Sequence, residues 1–176
     1  VVCDISEMFL QIRMKEEDKR YLRFLWMENQ EKIVYQFNRL VFGLNASPFI
    51  AQLVSRGNAL ALSDEFPRAT DTILKSTYMD DSLDSVDTVE EAKKLKDDLV
   101  KVWKRIGMDA RTWMSNSSES LAEIPEEERA KTLNLQEESM LTIKTLGLKW
   151  CTEEDQFQFD VEKFEEGIIT KRNLLS

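Results

Sequence analysis

The stretch Leu74 to Val86, LKSTYMDDSLDSV, decides the reading of this chain. Two aspartates, Asp80 and Asp81, stand side by side between two short β-prone runs. Adjacent carboxylates repel, and in a solvated turn such a pair is ordinary turn chemistry. A divalent cation shared between them converts that repulsion into attraction. Successive side chains of a straight strand point to opposite faces, so neighbouring acids converge on one ion only at a turn. The pattern of strand, tight turn and strand places them at one.

A third acid, Asp4, occupies the fourth position of an apolar, strand-like opening, VVCDISEMFLQI. Mg²⁺ takes oxygen ligands in a near-octahedral shell and keeps several waters, so a few carboxylates plus substrate phosphates complete it. Asp4 joins the pair if strand 1–5 lies beside the hairpin 75–85. Two metals about 4 Å apart on shared carboxylates suit phosphoryl transfer and need no histidine. The chain has no His and only Cys3 and Cys151. Zinc fingers, Cys–His nucleophiles and His-based acid–base schemes are thereby excluded, and any metal must sit on oxygen. Two cysteines make no disulfide framework, and a reducing intracellular setting is the expectation. A Ca²⁺ loop of EF-hand type fails on spacing, because the required Gly and terminal Glu of a twelve-residue loop are missing.

With 42% apolar and 32% charged residues over 176 positions, the composition is that of a globular chain with one core. No apolar run approaches the roughly 20 residues that span a bilayer, so no membrane association is expected, and the opening lacks the order of a signal peptide. A net charge of −9 argues against indiscriminate binding to nucleic acid. Much of the acidic excess lies in 117–139, expected to be a solvated, loop-rich or short-helical insertion. The chain does not begin with Met, and its ends read as a cut through a longer polypeptide.

Along the chain, residues 1–14 read as a strand. KRYLRFLWM and KIVYQFNRL read as a hairpin across ENQE. Ser47 is expected to cap a helix whose first residue is Pro48 and which runs to about Leu62. A short helix or turn follows SDEFPRA. Thr88 and Glu91 form a capping-box signature, and Ala92, Leu95, Leu99, Val102, Trp103 and Ile106 recur at helical spacing up to Gly107. ARTWMSN, TIKTLGLKW and QFQFDV read as later strands, the last two joined across CTEED. Asp84 and Asp87 are assigned to solvent, and Trp26, Trp103, Trp113 and Trp150 to the core. The order predicts an α+β fold of the split βαβ, ferredoxin-like kind, an antiparallel sheet with helices on one face.

YMDD, Tyr78 to Asp81, resembles the catalytic loop of reverse transcriptases. DISEMF (4–9) resembles the family's first catalytic motif, and RLVFGLNASPFIAQ (39–52) its template- and nucleotide-holding loop and helix. GMDARTWMSN (107–116) and TLGLKW (145–150) resemble the segments that follow and form the primer grip. Within the family, FGLNASPF, KSTYMDDS, SNS and TLGLKW look most like the BEL/Pao group of LTR retrotransposons.

The resemblance implies a polymerase palm with part of the fingers: palm over 1–150 with a fingers hairpin at about 18–40, and a truncated start of the thumb or connection over 151–176. The remaining fingers, thumb and RNase H would lie outside the chain. It implies RNA- and DNA-directed DNA synthesis from dNTP on a DNA or tRNA primer, with two Mg²⁺ ions or Mn²⁺ as substitute. An active element would carry it out in the cytoplasm, in a virus-like particle. Asp4, Asp80 and Asp81 would be catalytic and bind the metals, with the Ile5 carbonyl completing a site. Phe9 would reject a ribose 2′-OH, and Phe42 and Gly43 would line the nucleotide pocket. Gln52, Tyr78, Met79, Leu146 and Gly147 would contact template or primer. For Asp4 and Phe9 to face one nucleotide the strand must break soon after Asp4, at SEM. Two positions depart from the family: Thr112 replaces a lysine that is a candidate general acid, and Val41 replaces a proline. Thr112 leaves a second reading open, a catalytically degenerate retroelement remnant with a binding or structural role.

Overall fold

The computed structural model describes residues 1–130, 142–145 and 148–158, with backbone alone for 142–145. The chain divides into two units, Val1–Thr132 and Leu133–Ser176.

In the first unit, β1 (Val2–Ser6) leads into α1 (Met8–Gln11), and β2 (Arg23–Glu28) and β3 (Glu31–Gln36) form a ribbon. There follow α2 (Ser47–Ala61), α3 (Pro67–Lys75), β4 (Thr77–Tyr78), β5 (Asp81–Leu83), α4 (Val89–Arg105), β6 (Asp109–Met114) and α5 (Ser118–Leu121). One four-stranded sheet has the order β4-β5-β1-β6, and its pairings are antiparallel. The second unit contributes β7 (Thr142–Thr145), β8 (Leu148–Cys151) and β9 (Gln156–Gln158), paired in that order. The mixed α+β architecture is the one the sequence predicts.

The first strand is shorter than the expected 1–14. Glu7 adopts the left-handed region, φ 50° and ψ 34°, and the chain turns into α1. That break falls within SEM, where the spacing of Asp4 and Phe9 requires it. Cys3 and Ile5 enter the core with Ala69 and Ile73 of α3 and Leu95, Leu99, Val102 and Trp103 of α4. Alternation along the strand sets Asp4 on the opposite face, where it is half-buried.

α4 forms where its caps and apolar stripe predict. The Thr88 hydroxyl accepts from the Glu91 N–H at 3.2 Å, while the Glu91 carboxylate accepts from Asp87 N–H rather than from the cap residue. Gly107, at φ 76°, ends it: its N–H bonds Lys104 C=O and that of Met108 bonds Trp103 C=O, satisfying two terminal carbonyls.

Three local expectations are corrected. Ser47 does not cap α2; Ala46 does, and the buried Ser47 hydroxyl donates back to Val41 C=O at 2.5 Å, tying down the preceding loop. Trp26 is 59% exposed on the β2–β3 ribbon, whereas Trp103, Trp113 and Trp150 are buried. The acidic segment after β6 is not merely solvated: Ser120 and Ile124 are buried, and Ala130 N–H bonds Trp113 C=O. Residues 131–141 of that segment lie outside the described residues.

Candidate active site

Backbone pairing brings the three predicted acids together. Asp4 of β1 stands directly opposite Asp81 of β5, and Ile5 N–H donates to Asp80 C=O at 2.8 Å. Directly opposed Cα atoms in an antiparallel pair are about 4.5–5.5 Å apart, so Asp4 and Asp81 share one face. The turn between β4 and β5 consists of Met79 and Asp80, closed by Tyr78 opposite Asp81. Met79 takes φ 56°, a costly conformation for a residue with a Cβ, which the paired strands on either side impose.

The electrostatics register this proximity. Asp4 is pushed up to about 6 by burial first, then by the charges of Asp80 and Asp81. Asp81 is raised too, by burial and then by Asp80. The site therefore holds partly buried oxyanions in mutual repulsion, an all-oxygen donor set that fits a hard divalent cation. Among the described residues no three His, Cys, Asp or Glu side chains already close around a common point. Asp4 and Asp81 sit at paired register positions, and Asp80 precedes Asp81 in the turn.

The family model described as Reverse transcriptase (RNA-dependent DNA polymerase) matches residues 1–112, well over half of the chain. The chain belongs to the reverse transcriptase family. No curated protein matches it. The sheet β4-β5-β1-β6 with its helices is the palm of this reverse transcriptase domain, a nucleotidyltransferase whose family membership implies template, primer and dNTP binding. Among the described residues no helix is long and apolar enough to cross a membrane.

The other expected residues of this reverse transcriptase domain lie on several elements. Tyr78 is 65% exposed at the end of β4, and Met79 is partly buried. Phe9 lies on α1, partly buried against the core. Phe42 is 77% exposed in the loop before α2. Gly43 takes φ 90°, with open space where a Cβ would stand, so conformation rather than crowding selects glycine there. The start of that loop is joined to the end of α1 by Leu40 N–H to Ile12 C=O at 2.9 Å. Gln52 is partly buried on α2. Leu146 and Gly147 lie outside the described residues.

Two features escape the sequence reading. Asp84 is not solvated: its side chain is 12% exposed, accepts from the Thr72 hydroxyl at 2.6 Å and pairs with Arg68 at 2.8 Å. Burial alone would raise its pKa, but the hydrogen bonds from Thr72, Arg68 and Ser85 lower it. An acid three residues after Asp81 thus ties the end of β5 to α3. The second feature is a bulge in β6, where Thr112 and Trp113 oppose Cys3 alone. Thr112 has φ 55°, an outlier for a β-branched residue. The bulge sets Arg111 opposite Asp4, although its guanidinium lies nearest Asp109, at 3.8 Å. Opposite charges at paired positions are a signal that sequence reading can use only once the register is known.

Proposed function

We propose that this chain is the catalytic palm of an RNA- and DNA-directed DNA polymerase from a BEL/Pao-type LTR retrotransposon, transferring a nucleotide from dNTP to a primer 3′-OH. The observation that carries this reading is the register of Asp4 against Asp81, with Ile5 N–H held on Asp80 C=O. Asp4, Asp80 and Asp81, with the Ile5 carbonyl, would hold two divalent cations, Mg²⁺ or Mn²⁺. When bound, such ions activate the attacking hydroxyl and stabilise the leaving oxygen. The chain's own part is to hold Asp4 and Asp81 on paired strands and Asp80 in the tight turn beside them, so that little reorganisation remains at the moment of reaction.

Phe9 serves as the gate against a ribose 2′-OH, and Phe42 and Gly43 line the nucleotide pocket. Gln52 faces the template, Tyr78 and Met79 the primer end, and Leu146 and Gly147 the primer grip. Tyr78 supports this through its exposure beside Asp81, which leaves its ring free for a base or sugar. The β2–β3 hairpin belongs to the fingers, and residues 151–176 begin the thumb or connection. In an active element the site of action is the cytoplasm, within a virus-like particle.

Primer extension tests the reading: the parent chain extends a primer in Mg²⁺ or Mn²⁺, and Asp80→Asn does not. Extension that persists in the variant removes the assignment. Thr112 in place of the family lysine, strained at a bulge, favours a second reading, a degenerate remnant that binds without extending. Cation binding that depends on the carboxylates supports the polymerase, and its absence supports the remnant.

A further inference from the structure

We propose that the basic cavity at the base of the β2–β3 ribbon binds a backbone phosphate of a single nucleic-acid strand. Only the identity of that strand, as template or primer, rests on the polymerase reading.

The cavity, about 340 Å³, is lined by Arg13, Met14, Lys19, Asn38 and Arg39: three cations, an amide and no carboxylate. Its charge is built into the backbone. Arg13 and Arg39 face each other in an isolated antiparallel bridge, secured by Met14 N–H to Asn38 C=O at 3.1 Å and Leu40 N–H to Ile12 C=O at 2.9 Å. Like charges directly opposite on paired backbones cost stability, and an anion between them removes that cost. Lys19 meets Glu16 at 2.6 Å, but neither arginine has a carboxylate within ion-pairing distance among the described residues. Arg39 donates one N–H to Gln11 C=O at 2.8 Å, which orients the guanidinium and leaves other donors for a ligand. Planar forks of this kind match phosphate oxygens.

Two further observations favour a strand over a free anion. From Arg13 to Arg39 the chain carries seven Lys and Arg against five Asp and Glu, while the rest carries seventeen against twenty-eight. A polyanion is therefore repelled by most of the chain and admitted here. Beside Asn38, the ribbon presents Phe24 with Tyr35 at 5.8 Å and Phe37 at 4.9 Å between ring centroids, each ring more than a third exposed. Aromatic rings next to a cationic cleft are how single strands are gripped without regard to sequence, bases on the rings and phosphates on the cations.

The test is fluorescence anisotropy of the full chain with a labelled oligothymidylate across a salt series, alongside an NMR titration with inorganic phosphate. R13Q/R39Q weakens strand binding about tenfold at low salt and reduces the slope of log K against log salt by about 1. K101Q/K104Q on α4, which removes the same charge elsewhere, leaves both nearly unchanged. Equal loss in the two double variants overturns the proposal as bulk electrostatics. Phosphate binding at Arg13 and Arg39 without strand binding overturns it as a small-anion site. Primer extension separates the two readings: if the parent extends no primer, or Asp80→Asn extends as the parent does, while R13Q/R39Q still loses the strand, the cavity stands and the polymerase reading falls.

Discussion

The first unit contains two hairpins with two-residue turns, and they have opposite fates. β4–β5 is a few residues long, yet it is inserted beside β1 in a four-stranded sheet and clamped from α3 through Asp84, Thr72 and Arg68. β2–β3 is six residues on each side, turns through Asn29 and Gln30 at φ 50° and 67°, and among the described residues pairs with no third strand. It exposes Leu25, Trp26, Met27 and Val34. A strand's rigidity is thus set by what it is paired with and packed on, not by its length or β-propensity. The surroundings of the short hairpin hold an unfavourable charge pair and an unfavourable φ in place, as the proposed chemistry requires.

Breaking the braced hairpin should have the largest effects. Asp80→Asn, or Asp4→Asn, lowers single-turnover nucleotide addition by on the order of 10³-fold, the scale of losing a preorganised electrostatic partner, with little change in the far-ultraviolet circular dichroism spectrum. Asp84→Ala strands Arg68 and Thr72 and lowers unfolding free energy by about 2 kcal/mol in urea, less than a wholly buried pair because Arg68 is half exposed. On the free ribbon, Trp26→Thr changes the same quantity by less than about 0.5 kcal/mol, since its ring has little packing to lose. A loss at Trp26 as large as at Asp84 would erase the contrast between the hairpins.

The smallest expected effect is on pH dependence. Asp4 binds its proton more tightly in the folded chain, at about 6, than the ordinary carboxyl at 3.8. Its contribution to stability is present in full below pH 3.8 and lost as pH rises through about 6. Asp4→Asn removes that slope and, at pH 7.5, raises the melting temperature by about 2 °C, after allowance for the group's partial exposure. A melting temperature that falls on this substitution would show Asp4 to be stabilised by a partner rather than strained by its neighbours.

What was legible in the sequence was what local chemistry dictates. The Tyr78–Asp81 turn, the break at SEM, the Thr88 cap, the apolar stripe of α4 and the Gly107 stop all depend on residues within a few positions of one another. The long-range pairing of Asp4 with the turn was legible only through the resemblance of DISEMF and YMDD to reverse transcriptase motifs, since an Asp pair alone is ordinary turn chemistry. What escaped depends on cover. Trp26 reads as core in an apolar strand, but among the described residues no third strand joins its ribbon, and its ring is exposed. Asp84 reads as turn polarity until α3 brings Arg68 and Thr72 beside it. Ser47 carries a capping signature but is drawn to Val41 C=O because Ala46 already begins the helix. The Thr112 bulge leaves no local mark, since β-branched residues ordinarily favour extended backbone.

The central claim is that Asp4, Asp80 and Asp81 act as one cation-binding cluster, and Mn²⁺ titration followed by electron paramagnetic resonance tests it most directly. The account predicts that the parent chain takes up Mn²⁺ in competition with Mg²⁺, and that Asp4→Asn and Asp80→Asn each weaken this uptake by tenfold or more. Mn²⁺ uptake left unchanged by both substitutions would contradict it.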